Sequence, residues 1–432
     1  KYPHQAGMGW LSGPNTGYSG YQGYLNESKT IAEALRDKGY QTMMTGKWHV
    51  GNPQNGVTPW TKGFNRYFGI PTGANYWDPK GLKLDGEPFE WPGNDYFKTE
   101  ALAEYATNFI AEHNKESPEQ PYFLYHAFSA PHWPLHAREN DIEKYRGKFM
   151  LGWEELRKTR FENMVAEGII DSGQTLLPKD PAVPEWESLS KEKQRAWDYQ
   201  MSVYAAQVTA MDRAVGHILE QVKKEGESEN TLVLFLSDNG ASAEAIGLHR
   251  SRIRNDEGIK PGGPDSHQAY YMPWANASNT PFRLYKHWAH EGGIATPFIA
   301  KWPELIENEG ATTDVIGHVM DIMPTALDAA SINSDKESGV PDSLAMEGQS
   351  LLPVFKNEKS QLSRRIFWEH EGHRAVREGK WKLVSAHPFD DWFFEKWGFS
   401  RNPNAEWELY NLENDRFEQN DLADDYPQKR DE

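Results

Sequence analysis

The sequence predicts an α/β fold with a mixed, mostly parallel sheet flanked by helices, followed by a smaller antiparallel sheet. Three observations predict it: apolar runs without alternation, amphipathic helical stretches between them, and a change of pattern after about residue 360. Apolar runs that do not alternate are typical of strands buried on both faces, as in parallel sheets. We therefore expect an α/β domain over residues 1–360 and an antiparallel-sheet domain over residues 361–432.

Four segments of the α/β part show the signals of helices. The clearest spans residues 197–224, where apolar residues recur every three or four positions, as on a helix that faces a core. Helices are also predicted over residues 26–38, with Gly39 as the stop signal, and over residues 99–113. A fourth helix is predicted to begin at Asp321, whose side chain can cap a first turn.

Strands are predicted between these helices. Residues 122–128 form an apolar run without alternation, residues 231–236 form the strongest run in the chain, and residues 297–302 form a third. The first is expected to be a buried strand of a parallel sheet, the second a buried strand, and the third a further strand. The polar stretches 137–195 and 241–271 are expected to be insertions at strand ends, where such segments often border a binding site.

The pattern after residue 360 is that of short strands separated by turn residues. Gly372 and Gly379 occupy two of the expected turns. The four predicted strands begin at residues 365, 373, 380 and 407. They predict a small antiparallel sheet.

Composition excludes several classes of function. The 432 residues contain no cysteine, which excludes disulfide scaffolds, zinc ribbons, iron–sulfur sites and cysteine nucleophiles within them. A net charge of −18 argues against a general nucleic-acid binder, because such proteins need a basic face. No apolar run reaches the roughly 18 to 20 residues that a membrane span requires.

The two ends of the sequence carry their own signals. The chain begins at Lys1 with turn residues and shows no signal-peptide pattern. Near the other end, Pro427 suits the first turn of a helix. We expect the sequence to be incomplete at both ends.

A candidate metal site follows the strongest strand directly. Asp238 and Asn239 place carboxylate and amide oxygens side by side at the end of that strand. Such oxygens are the ligands of hard cations, so the pair is expected to bind Ca²⁺ or, less favourably, Mg²⁺. An ordinary Asp-Asn-Gly turn explains the same residues equally simply.

Two further segments carry candidate groups for an anionic substrate. Lys47 and His49 lie between Gly46 and Gly51, and side chains two residues apart point the same way if the backbone is extended. His132 follows the strand at residues 122–128 in a proline-rich loop that can aim its ring into a site. A surface lysine and ordinary histidines remain the alternatives for both segments.

A cationic patch in an acidic protein forms the fourth segment. Residues 279–293 contain Arg283, Lys286, His287 and His290, with Glu291 beside them. Such a patch can neutralise an oxyanion. It can equally be a charged helix face exposed to solvent.

Together these segments resemble the sulfatases of the alkaline-phosphatase superfamily, and the resemblance extends over essentially the whole chain. The similar segments are residues 39–51 (a family signature), 237–240 (the metal motif), 280–286 with 291–293 (the sulfate-binding lysine segment), and 407–415 with 420–423 (the C-terminal segment). The resemblance implies an alkaline-phosphatase-like fold. It also implies hydrolysis of a sulfate ester, on a carbohydrate or an aryl group.

The resemblance also implies roles for individual residues. Asp238 and Asn239 would be ligands of a Ca²⁺ ion. Lys47 would bridge the nucleophile and a sulfate oxygen, and His49 would contact the nucleophile. His132 and Lys286 would bind the sulfate and supply a proton to the leaving oxygen.

The nucleophile is where this sequence departs from the family. Sulfatases use a formylglycine made from the Cys or Ser of a Cys/Ser-x-Pro-x-Arg motif. That motif does not occur in residues 1–432. We expect the formylglycine, and two further metal-binding carboxylates, to lie upstream of Lys1.

The resulting functional expectation is a periplasmic or secreted sulfatase acting on a sulfated small molecule or glycan. A phosphonate or phosphodiester hydrolase of the same superfamily is the alternative among enzymes. A non-catalytic protein that binds glycans or oxyanions is the alternative outside them. The sequence leaves the oligomeric state open.

The insertion after the metal motif is a candidate for substrate specificity. Its basic residues are His249, Arg250, Arg252, Arg254 and His267. They can line a pocket, or they can form a solvated charged loop.

Overall fold

The structure, a computed structural model, covers most of the chain. It describes residues 2–8, 23–25, 27–71, 73, 75–246, 258–332, 346–358, 362, 364–385 and 406–432. Of the basic residues after the metal motif, His249, Arg250, Arg252 and Arg254 lie outside the described residues.

The chain folds as two compact units, each built from three segments. The first comprises Lys1–Ala130, Ala210–Leu234 and Ala300–Leu362. The second comprises Pro131–Thr209, Phe235–Ile299 and Ser363–Glu432. The predicted domain boundary at residues 360 and 361 stays a prediction.

The first unit contains a five-stranded mixed sheet. Its strands are β1 (Gln41–Gly46), β2 (Arg66–Gly69), β3 (Lys83–Leu84), β4 (Glu87–Pro88) and β5 (Tyr122–Ala127). Their order is β4-β3-β2-β1-β5. The central strand β1 runs parallel to both β2 and β5, whereas β3 and β4 add antiparallel pairs at one side. The predicted parallel pairing of residues 122–128 is confirmed, but the predicted burial is wrong, since Tyr125 of β5 is 48% exposed.

The described helices follow the predicted pattern. In chain order they are α1 (Ile31–Arg36), α2 (Lys98–Glu116), α3 (Glu139–Glu143), α4 (Gly152–Ala166), α5 (Lys191–Lys224), α6 (Tyr271–Ser278), α7 (Glu291–Ile294), α8 (Ile322–Ala329), α9 (Leu352–Phe355) and α10 (Pro427–Asp431). The first begins later than predicted because Thr30 and Glu33 form a capping box, each side chain accepting from the other's backbone N–H.

Helix α2 packs against the five-stranded sheet and forms a hydrophobic core with it in the first unit. Leu102 and Phe109 of this helix are buried with Met43 of β1 and Phe68 of β2. The phenyl ring of Phe68 stacks on Tyr105, with ring centroids 3.6 Å apart. These contacts fix β1, and with it the segment that follows at Lys47.

The strongest apolar run forms a strand that is less buried than predicted. Strand β6 (Val233–Leu236) pairs with β7 (Phe298–Lys301) in a two-stranded sheet. Leu236 is 37% exposed, and Phe298 and Ile299 are 40% and 58% exposed. The prediction of a buried strand is therefore wrong for β6. Because each strand has only one partner among the described strands, part of its surface stays uncovered.

The second unit contains the predicted antiparallel sheet. Its strands are β8 (Arg365–His370), β9 (His373–Glu378), β10 (Trp381–Ser385) and β11 (Trp407–Asn411), in the order β11-β10-β9-β8. All three pairings are antiparallel. Gly372 and Gly379 have φ values of 84° and 56°, the left-handed conformation that tight turns require.

The polar stretch 137–195 contributes helices to the second unit. It forms α3, α4 and the beginning of α5. Trp153 of α4 is fully buried, with edge-on contacts to Trp186, Trp197 and Trp274 at centroid distances of 4.8 to 5.6 Å. Several of the chain's 17 tryptophans thus build a core. No helix in the described part of the chain is long and apolar enough to cross a membrane.

Candidate active site

The metal motif follows β6 as predicted and presents oxygen atoms. The side-chain nitrogen of Asn239 donates to the carbonyl oxygen of Gly240 at 2.9 Å, so this nitrogen is already hydrogen-bonded to the backbone. Among the described residues, no side chain or backbone group donates to the carboxylate of Asp238. This donor set suits a hard cation, although two residues supply only part of the six to eight oxygens that Ca²⁺ takes.

A close backbone contact joins the metal motif to the cationic patch. The N–H of Gly240 donates to Gly293 at 3.0 Å, and a Cβ at Gly240 would lie 1.8 Å from the carbonyl oxygen of Gly292. The N–H of Ala241 donates to the side chain of Asn279 at 3.0 Å. In return, the N–H of Lys286 donates to Ala241 at 3.0 Å. Lys286 is therefore held beside the metal motif by backbone hydrogen bonds.

The ammonium group of Lys286 faces a buried carboxylate. Its Nζ lies 3.4 Å from Oε1 of Glu244, whose side chain is 1% exposed. Burial would raise the pKa of Glu244, but Lys286, His287 and Ser242 together hold this pKa well below its ordinary value. Glu244 is therefore ionised at neutral pH.

The other charged residues of the patch are paired within the protein. Arg283 and His290 both contact the carboxylate of Glu408. Glu291 is buried and paired with Lys382 at 2.8 Å. A solvent-exposed charged helix face therefore does not describe this segment, because its charges have buried or half-buried partners.

His287 lies between two carboxylates. Its Nε2 is 3.1 Å from Glu244 and its Nδ1 is 2.7 Å from Glu371. Burial would lower the pKa of His287, but hydrogen bonds and charge from both glutamates raise it above its ordinary value. The backbone there is strained, since His287 has a φ of 89° and Leu284 a φ of 62°. The two ion pairs compensate for this strain.

The same histidine belongs to a group with metal-ligand geometry. Ligand atoms of His287, His370 and Glu371 all lie within 4.8 Å of one another. A metal ligand must be a neutral imidazole, whereas the two carboxylates stabilise the charged form of His287. The residues present fit an ion-pair network better than a metal centre.

His132 occupies a loop that is fixed from several sides. Its Nδ1 donates to the carbonyl oxygen of Trp133 at 2.6 Å, because a carbonyl can only accept. The side chain of Gln207 donates to the carbonyl oxygens of His132 and Pro134, at 3.2 and 3.3 Å. His267, from the insertion after the metal motif, contacts the ring of Trp133 edge-on at 5.4 Å. Any proton transfer by His132 would therefore use Nε2.

Lys47 and His49 lie in the first unit, just after β1. The backbone N–H of Lys47 continues the ladder to Ala127 at 3.1 Å, and Gly46 allows this close approach because a Cβ there would lie 1.9 Å from the oxygen of Ala127. The N–H of His49 donates to Pro71 at 3.1 Å. The expected extended backbone fails at His49, which has a φ of 57° and an exposed side chain. Parallel orientation of the two side chains therefore does not follow from their spacing.

Lys98, near Lys47, was not indicated by the sequence. It is 3% exposed and donates to the carbonyl oxygen of Gly73 at 3.2 Å. Burial and the charge of Lys47 lower its pKa to about 8, although Asp78 opposes the shift. It lies at the first residue of α2, where no motif distinguishes it from a surface lysine.

Comparisons with known proteins support the resemblance. A model of the family described as Sulfatase matches residues 2–332, and a model described as N-sulphoglucosamine sulphohydrolase, C-terminal, matches residues 282–430. An uncharacterised sulfatase of Schizosaccharomyces pombe is 32% identical over 98% of this chain and 80% of its own length. An arylsulfatase of Klebsiella aerogenes is 33% identical over 83% of this chain and 81% of its own. The chain belongs to the sulfatase family.

Solved structures show the fold of this sulfatase at lower identity. The crystal structure of Ps i-CgsB has a TM-score of 0.65 and 21% identity, and covers 100% of this chain and 77% of that one. The structure of BT4656 with D-glucosamine-2-N,6-O-disulfate has a TM-score of 0.58 and 21% identity, and covers 99% and 85% of the two chains. These likenesses confirm the alkaline-phosphatase-like fold of the sulfatases.

The predicted site residues of the sulfatase are distributed over both units. Asp238, Asn239, His132 and Lys286 belong to the second unit, and the hydrogen bonds above connect the metal motif to the lysine segment. Lys47 and His49 belong to the first. Their catalytic and metal-binding roles stay predictions. Sequence reasoning missed Glu244, because one glutamate in a polar insertion carries no signal of its many partners.

Proposed function

We propose that this sulfatase hydrolyses the sulfate ester of a carbohydrate or an aryl alcohol. Family membership supports action on sulfate esters. The observation that supports the proposal further is the junction of the metal motif with the Lys286 segment, in which backbone hydrogen bonds hold the two segments next to each other. A sulfate ester needs the cation ligands of one and the ammonium group of the other, since its oxygens carry charge and its leaving oxygen needs a proton.

Each candidate residue has a role in this proposal. Lys47 and Lys286 neutralise charge on the sulfate oxygens. His49 contacts the nucleophile. His132 or Lys286 gives a proton to the oxygen of the departing alcohol as its bond to sulfur breaks, so that the alcohol leaves without a negative charge.

The proposal includes two groups that the chain itself does not supply. A formylglycine from sequence outside residues 1–432 would provide the oxygen nucleophile. A Ca²⁺ ion would be held in part by the oxygens of Asp238 and Asn239, which fit a hard cation, and would stabilise negative charge near the reacting group. The periplasmic or secreted location stays a prediction.

Known structures of this fold favour a sulfated glycan as the substrate. Ps i-CgsB has been solved with k-i-k-neocarrahexaose, and BT4656 with D-glucosamine-2-N,6-O-disulfate. We extend this to the present protein as the preferred substrate class, with aryl sulfates as convenient test substrates.

The test compares matched esters and two variants in the enzyme that carries its nucleophile. We expect kcat/KM for 4-nitrophenyl sulfate to exceed that for 4-nitrophenyl phosphate by at least tenfold. Replacing Lys286 or His132 by Ala should lower kcat by about 100-fold or more, because each change removes charge neutralisation or proton transfer.

Two outcomes would contradict the proposal. A strong preference for the phosphate ester would make the protein a phosphoester hydrolase of the same superfamily. Near-wild-type turnover in both variants would overturn the assignment of the two residues. Lys380→Ala is the matched control, since Lys380 is a half-exposed lysine of the second unit that pairs with Glu413 at 3.6 Å.

A further inference from the structure

Glu244 is the meeting point of four side chains in the second unit. Its Oε2 accepts from the indole N–H of Trp133 and from the hydroxyl of Ser242, both at 2.5 Å. Its Oε1 lies 3.4 Å from Nζ of Lys286 and 3.1 Å from Nε2 of His287. A buried carboxylate with two donors on each oxygen has all of its main acceptor directions in use.

Two of these partners belong to the segments that carry the candidate acids. Lys286 is itself one candidate. Trp133 follows His132, and its carbonyl oxygen accepts from Nδ1 of that histidine, with the two rings 4.6 Å apart. One carboxylate therefore holds the ammonium group of Lys286 and the indole that fixes the His132 loop (residues 131–136).

The arrangement continues through His287 to the antiparallel sheet. His287 adopts a left-handed backbone conformation directly after Lys286, which is costly for a residue with a side chain. Its ion pairs to Glu244 and to Glu371, at the turn between β8 and β9, oppose that cost. Losing Glu244 would therefore also release the backbone on which Lys286 sits.

We propose that Glu244 is a positioning residue that holds Lys286 and the His132 loop in one arrangement. This role rests on the proposed function of Lys286 and His132. It acts through its contacts with the ammonium group of Lys286 and the indole N–H of Trp133, which keep both side chains in place.

The decisive variant is Glu244→Gln, which keeps the shape and removes the charge. We expect kcat/KM for 4-nitrophenyl sulfate to fall by 10-fold to 100-fold. Glu244→Asp keeps the charge and should restore part of this loss.

Glu408→Gln is the matched control. Glu408 is a half-buried carboxylate that pairs with Arg283 and His290 of the same segment but touches neither Lys286 nor the His132 loop. It should lower the melting temperature as a lost ion pair does, with kcat/KM within threefold of the wild type. A Glu244→Gln enzyme whose kcat/KM stays within threefold of the wild type would overturn the proposal.

A second measurement separates this proposal from the proposed function, because it needs no substrate. Acetylation of Lys286 by acetic anhydride at pH 8, followed by mass spectrometry, reports how freely the amine leaves its carboxylate partner and meets the reagent. We expect several-fold faster labelling in folded Glu244→Gln than in the wild type or in Glu408→Gln. Equal rates in all three would overturn the role of Glu244 even if no sulfate ester is hydrolysed.

Discussion

Gly240 is the residue at which the metal motif and the lysine segment come closest. Its backbone donates to Gly293, and the space that a side chain would need is filled by the carbonyl oxygen of Gly292. Protein interiors leave few gaps, so a methyl group at this point must push the two segments apart. This close approach therefore determines how the segment of Asp238 is positioned relative to the segment of Lys286.

We therefore expect Gly240→Ala to destabilise the protein by about 3 kcal/mol and to lower turnover of a sulfate ester by more than tenfold. Melting temperature and kcat measure the two effects. Gly216→Ala is the control, because Gly216 is exposed within α5 with open space at its Cβ position. Alanine there should stabilise by up to about 1 kcal/mol. A stable and fully active Gly240→Ala protein would show that the contact is not needed.

Single residues were predictable where they stand in recognisable order along the chain. Asp238 and Asn239 follow a strand, and Lys286 lies in a cationic patch, so the sequence indicated all three residues. Glu244 and Trp133 were not, because their importance depends on partners 42 and 111 residues away in the chain. Such pairings arise only from the folded backbone.

At the scale of an element, strand β10 is held to other segments by a buried lysine that pairs with distant carboxylates. Lys382 is fully buried within it and forms ion pairs with Glu291 of α7 at 2.8 Å and with Glu418 at 2.7 Å. Arg416 also contacts Glu291. Burial would raise the pKa of Glu291, but these cations hold it far below its ordinary value. The strand is thereby tied to α7 and to the segment after β11.

Lys382→Met should destabilise the protein by about 3 to 5 kcal/mol, because it removes the buried cation of Glu418 and one of the cations that pair with Glu291. Urea unfolding at pH 7 measures the loss. The double variant Lys382→Met with Glu418→Gln should recover part of the stability, since one buried negative charge is removed together with the lysine. A single variant as stable as the wild type would contradict this account.

Lys380→Met provides the control for that prediction. Lys380 directly precedes the same strand but is half exposed, and its partner Glu413 lies 3.6 Å away. Exposed ion pairs of this kind contribute at most about 1 kcal/mol, so little change is expected. The contrast isolates burial as the cause, because both variants replace a lysine by the same apolar residue.

Elements were predictable to the extent that their signals are local. The four strands of the antiparallel sheet and the long helix α5 follow from alternation, turn residues and helical periodicity. The burial of β6 was not predictable in the same way. An apolar run indicates a strand, but how much of it is covered depends on which other segments pack against it.

At the scale of the whole molecule, the charge of −18 and the proposed anionic substrate oppose each other. A sulfate ester must be held by local cations, against the average field of the protein. Family and fold were predictable from the sequence because the motifs that indicate them are distributed along the whole chain. The division into two compact units was not, since each unit is assembled from three separate segments.

The buried cation Lys98 should make the stability of the whole protein depend on pH. Lys98 is 3% exposed, and burial, assisted by the charge of Lys47, lowers its pKa from 10.5 to about 8. Between these values the unfolded chain binds the proton more tightly than the folded protein does. The lysine therefore costs stability below pH 8, and this cost of about 3 kcal/mol disappears as the pH rises through 10.5.

Lys98→Met should accordingly change the pH dependence of unfolding. We expect the free energy of unfolding of the variant, relative to the wild type, to decrease by about 2 kcal/mol between pH 7 and pH 10. Urea unfolding at four pH values in this range measures it, with Lys80→Met, an exposed lysine, as the control. The loss of the bond to Gly73 lowers the variant's stability equally at every pH, so it leaves the slope unchanged. A constant difference from pH 7 to pH 10 would mean that Lys98 remains charged in the folded protein throughout this range.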